Sequence, residues 1–157
     1  MLKLSVEIKE KKKNPLKKVM GSNKVQVGFF GEGKINMLAH IFEGMADPGG
    51  INGSVVVPAW KPLETASSEI LEASKVIIKE EAPGMIENGK DTALKKVALK
   101  SAEILKKTVE DIKTPGNKPR TIEKKDFDNP MIDSGKFKRS ASAKVNGTGT
   151  YGKGKLG

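Results

Sequence analysis

Hydrophobic and polar positions change period several times along this chain, and each change marks an element. In "LKLSVEI", Leu2, Leu4, Val6 and Ile8 alternate with Lys3, Ser5 and Glu7. That period of two predicts a strand with one buried face. In "KVQVGFF", Val25, Val27 and Phe29 alternate with Gln26 and Gly28, which predicts a second strand in a hairpin-like pair with the first. Between them, Leu16, Val19 and Met20 suit a single helical turn.

The period then lengthens. Ile35, Leu38, Ile41 and Phe42 recur at helical spacing and Gly44 suits the stop, so a short amphipathic helix is expected. From Lys61, the residues Leu63, Ala66, Ile70, Ala73, Ile77 and Ile78 recur every three or four positions until Pro83-Gly84, which is expected to end the helix. A second long stripe follows "ENGKD": Leu94, Val97, Ala98, Ile104, Leu105, Val109 and Ile112, stopping at "TPGNKP". Two such stripes joined by a turn-rich connection predict an antiparallel helix pair able to cover a sheet. Past Pro119, "RTIEKKDF" suits one or two helical turns.

The stretch "FDNPMIDSGKFKRSASAKV" changes character midway. Asp133 and Ser134 accept backbone hydrogen bonds readily and Gly135 tolerates positive φ, so a sharp turn is expected after Pro130 and Ile132. Beyond it, Phe137, Arg139, Ala141, Ala143 and Val145 alternate with polar residues and predict a third strand. The expected fold class is α+β: a small antiparallel sheet packed against two longer helices and one short helix. One domain over residues 1–146 carries a projecting loop at about 44–60, and a flexible Gly/Lys tail occupies 147–157. In that loop, Val55, Val56, Val57 and Trp60 are candidates for contact with another subunit, and Tyr151 is a further candidate in the tail.

Length and composition agree with one domain. A chain of 157 residues is enough for one core, and with 36% hydrophobic but only 4% aromatic residues that core rests on aliphatic side chains. The net charge of +10 is unevenly placed: residues 1–20 carry seven Lys against two Glu, and residues 113–157 carry eleven Lys or Arg against four acids. Basic ends suit nucleic acid, an acidic protein surface or simple solvation. No apolar run reaches the roughly 20 residues of a membrane span, and the N-terminal charges follow the short apolar part, so neither a span nor a secretory leader is expected.

Chemistry is sparse. Without cysteine there is no disulfide, thiolate site or thiol nucleophile, and His40 is the sole histidine. Lying among the apolar positions of the short helix, it reads as a packed residue, since no Ser occupies a nucleophile motif. "GFFGEGK" lacks the spacing and terminal Ser or Thr of a phosphate loop. Glu80-Glu81 and Glu110-Asp111 are adjacent helical positions that point apart. Asp126, Asp128 and Asp133 do not have the spacing of a calcium loop. No catalytic residue, cofactor or metal site is therefore assigned.

One constellation is specific. Thr121, Ile122, Lys124, Pro130, Met131, Ile132, Asp133, Ser134, Gly135, Phe137 and Ser140 stand in the order of a C-terminal signature, and the whole resembles the neck and tail-completion proteins of tailed bacteriophages. Earlier segments agree in order: "VGFF" at 27–30, "AHIFEG" at 39–44 and "VPAWKPLETASSEI" at 57–70. Lys61-Pro62-Leu63 stands where the family usually has Arg-Pro-Phe. The resemblance implies a structural virion protein, not an enzyme, forming a homo-oligomeric ring (hexamer or dodecamer) around the DNA channel at the neck. Portal-adaptor and tail terminator or tube proteins are its implied neighbours, with non-specific DNA contact in the lumen, no membrane, and assembly in the host cytoplasm. The alternative is a monomeric basic nucleic-acid-binding domain whose ends carry the contact.

Overall fold

The computed structural model describes residues 3–7, 24–44, 58–88 and 92–152. Within it the α+β expectation holds: a four-stranded antiparallel sheet is covered by helices. The two alternating runs at the start become β1 (Lys3–Glu7) and β2 (Lys24–Phe29), with Leu4 opposite Val27. β3 (Ala141–Val145) pairs with the other edge of β2, placing Ala141, Ala143 and Val145 opposite Phe29, Val27 and Val25. β4 (Thr148–Tyr151) completes the order β1-β2-β3-β4.

Five helices lie among the described residues: α1 (Lys34–Phe42), α2 (Pro62–Asn88), α3 (Ala93–Asp111), α4 (Pro119–Lys125) and α5 (Lys136–Ser140). α3 lies across β3 and β2, and α2 packs along α3 and reaches β1. Small residues make the close approach possible: Ala98 and Ala102 on α3 and Ala141 and Ala143 on β3 are wholly buried. Around them Val25, Val27, Phe29, Leu105 and Val109 fill the core. Each such side chain taken from water stabilises the fold by about 1.5–3 kcal/mol, so the register that points Val25, Val27 and Phe29 at α3 is strongly preferred over a one-residue slip.

Three expectations are corrected. α2 does not stop at Pro83-Gly84 but runs to Asn88, because Met85, 1% exposed, anchors the extra turn in the core. The alternation from Phe137 is not all strand: residues 136–140 close as helix α5 and β3 begins only at Ala141. Local bonds explain this, since Ser140 Oγ donates to the Phe137 carbonyl (2.6 Å) and the Arg139 amide donates to the Gly135 carbonyl (3.0 Å). Third, the segment expected to be a flexible tail from residue 147 contributes edge strand β4. Asn146 (φ 53°) and Gly147 (φ 75°) form a two-residue turn that sets Thr148 opposite Val145. An Asn-Gly pair is the strongest short-range hairpin signal a sequence carries, and it was present here. Residues 153–157 of that tail lie outside the described residues.

The end of β4 is docked tightly. Gly152 sits so close to α3 that an added Cβ would lie 2.6 Å from Ala102 Cβ, and its carbonyl accepts a hydrogen bond from Lys106 Nζ. Gly152→Val is expected to detach β4 while leaving β1–β3 paired. Amide hydrogen exchange should then show protection lost at residues 148–151 alone, and retained protection there would contradict this view of the docking.

Candidate interaction surface

The turn singled out in the sequence, residues 130–135, is held by side chains on both flanks. Asn129, 5% exposed, donates from Nδ2 to the Glu110 carbonyl at the end of α3 (3.0 Å), while its Oδ1 accepts from the Met131 amide (3.3 Å). Lys125 Nζ donates to the Asn129 carbonyl (2.7 Å), and burial holds that ammonium below its ordinary pKa despite the nearby Asp133 and Asp128 charges. On the other side Gly135 takes the left-handed conformation (φ 73°), and Arg139 Nη2 reaches back to the Ser134 carbonyl (3.1 Å). Lys138 pairs with Glu110. The turn is thus tied twice to the end of α3.

What the turn builds is one wall of a cleft. Pro130, Met131, Asp133, Ser134, Gly135, Lys136 and Phe137 face Lys34, Ile35, Leu38 and Phe42 of α1 across a volume of about 440 Å³. Met131, Phe137 and Phe42 form a buried apolar floor, with Ile35 and Leu38 half-buried beside it. Three aromatic rings fix that floor: Phe137 stacks on Phe29 (centroids 4.2 Å) and meets Phe42 edge-on (4.9 Å). Ile132 does not line the cleft and packs, partly buried, against the core. Asp133, Ser134 and Lys136 are exposed at the rim.

The long loop begins and returns at one point. The Lys61 amide donates to the Phe42 carbonyl (2.8 Å), Glu43 Oε1 accepts from the Leu63 amide (2.5 Å), and an added Cβ on Gly44 would touch Ala59 Cβ at 2.9 Å. Trp60, a candidate anchor for another subunit, is engaged inside its own fold: its ring meets Phe42 edge-on (5.3 Å) and its Nε1 donates to the Pro115 carbonyl (2.9 Å). Val55, Val56 and Val57 lie outside the described residues. Tyr151 is half-buried in β4 opposite Ala143, with its ring against Gly149.

Glu43 therefore caps α2 from a distant residue, a role nothing in its local sequence signals. Burial raises its carboxyl pKa, opposed by the Leu63 and Glu64 amides that favour the charged form. Because the folded value is raised, this group's contribution to stability is full below the ordinary carboxylate pKa and is lost as pH rises through the folded one. Glu43→Gln keeps an acceptor and cannot ionise, so it should gain stability relative to the native chain on going from acidic to neutral pH. Glu43→Ala removes the cap and should cost about 1 kcal/mol at acidic pH and less at neutral pH. Urea titrations at the two pH values check both.

The candidate acids have structural roles. Asp128 Oδ1 accepts from the Asn117 amide and Nδ2 (3.0 Å each), and Asp126 ends α4 in the left-handed conformation. His40 lies in the last turn of α1, outside the cleft lining. Among the described residues no three His, Cys, Asp or Glu gather as a metal site, and no helix is long and apolar enough to cross a membrane. No family model, curated protein or solved structure matches the chain. The arrangement offers surfaces: an apolar cleft with charged rims, a loop with a closed stem, and two sheet edges at β1 and β4.

Proposed function

We propose that the chain is a structural virion protein of a tailed bacteriophage, forming a ring at the neck by head-tail joining or tail completion around the DNA channel. The observation that carries the reading is the 121–140 constellation, in which Pro130, Asp133, Ser134 and Gly135 build a turn that delivers the chain through α5 into β3. A turn of this kind has a positional purpose: it sets the register of an interior strand, not the chemistry of a site. Edge strands β1 and β4 and the stem-closed loop at 44–60 are the surfaces through which neighbouring subunits would meet in a ring. Lysines at the chain ends would contact DNA phosphates without reading sequence.

Native mass spectrometry and negative-stain imaging, with the chain alone and with a portal-adaptor ring, test the proposal. Closed rings, hexameric or dodecameric, are the expected result. The net charge of +10 favours a second reading, a monomeric nucleic-acid-binding domain. A chain that stays monomeric in both preparations and binds DNA with steep salt dependence would replace the first reading with the second.

A further inference from the structure

The cleft between α1 and the 130–137 turn is lined by no residue of the edge strands β1 and β4. We propose that it docks an acidic segment of a partner protein, anchored by one or two bulky apolar side chains. The inference goes beyond ring formation and does not depend on it.

Shape and charge carry the assignment. A volume of about 440 Å³ lies within the range of ligand pockets and takes one or two bulky side chains, and its floor is braced where Phe137 stacks on Phe29 and meets Phe42 edge-on. Lys34, first residue of α1, and Lys136, first residue of α5, stand on opposite walls. Both are exposed, and neither joins an ion pair among the described residues. Asp133 shares the rim, so the lining carries two lysines against one carboxylate. Two unengaged ammonium groups flanking an apolar floor fit a peptide whose carboxylates straddle a Leu or Phe. A nucleic-acid phosphate would meet the lysines and leave the floor unfilled.

The probe is a fluorescein-labelled peptide with one Leu and one Phe between Glu residues, titrated with the full chain and followed by fluorescence anisotropy. Two controls replace every Glu by Lys, or Leu and Phe by Ala. Binding tighter than about 1 mM is expected for the first peptide only. The double variant Lys34→Glu/Lys136→Glu, which alters exposed residues alone, should weaken it by about tenfold or more and admit the Lys peptide instead. Amide shifts in the native chain should cluster on α1 and residues 130–137, a readout that needs no variant. Absence of binding, indifference to the charge reversal, or shifts elsewhere would overturn the proposal. A change in sedimentation mass on charge reversal without peptide binding would place a second copy in the cleft and overturn it equally. Loss of peptide binding in a double variant that still forms rings would support the docking site independently of the ring reading.

Discussion

Replacing Phe137 by alanine is expected to cost about 3–5 kcal/mol, the range for removing a buried aromatic ring. The side chain is 5% exposed, stacked on Phe29 of β2 and edge-on to Phe42 of α1. It therefore joins three elements distant in sequence: the C-terminal turn, the central strand and the short helix. Against a total stability of about 5–15 kcal/mol for a domain this size, such a loss is a large fraction. The denaturation midpoint in urea should fall with little change in slope. Phe137→Leu keeps most of the volume and should lose less than about 1.5 kcal/mol. Near-equal losses for the two variants would show that the rings do not hold the cleft floor together.

Gly135→Val should cost about 2–3 kcal/mol although it removes no functional group. The backbone there is left-handed at φ 73°, where a β-branched residue is strained, and an added Cβ would lie 2.7 Å from Arg139 Nη1. Arg139 can swing aside, but only by giving up its bond to the Ser134 carbonyl. Gly135→Ala should be intermediate, at about 1–2 kcal/mol. Asp126→Asn is the contrast: Asp126 also has a positive φ of 61°, but asparagine tolerates that conformation, so stability should change by less than about 0.5 kcal/mol. If Gly135→Val melts with the native protein while ring assembly is also unchanged, the turn does not set the register of β3.

The cleft and its supports were only partly legible in the chain. Pro130, Asp133, Ser134 and Gly135 announced a turn because their chemistry is local: a ring that fixes φ, short side-chain acceptors and a residue without Cβ. Asn129 was missed, since its bond to the Glu110 carbonyl spans 19 residues and follows from where α3 happens to end. Glu43 capping α2 was missed for the same reason. β4 is a different failure, because the Asn146-Gly147 signal was available locally and the glycine-rich composition around it obscured it.

Periodicity alone determined the order of the described elements from β1 to α3, the inward faces of β2 and the two long helices, and the α+β class. Those features depend on which side chains avoid water, a property each residue carries with it. Tertiary structure alone decided how far α2 runs past Pro83 and which side chains share the cleft. Phe137, Phe42 and Phe29 come together through the pairing of β3 with β2 and the folding back of α1, so no window of sequence contains the pocket that Phe137 and Phe42 line.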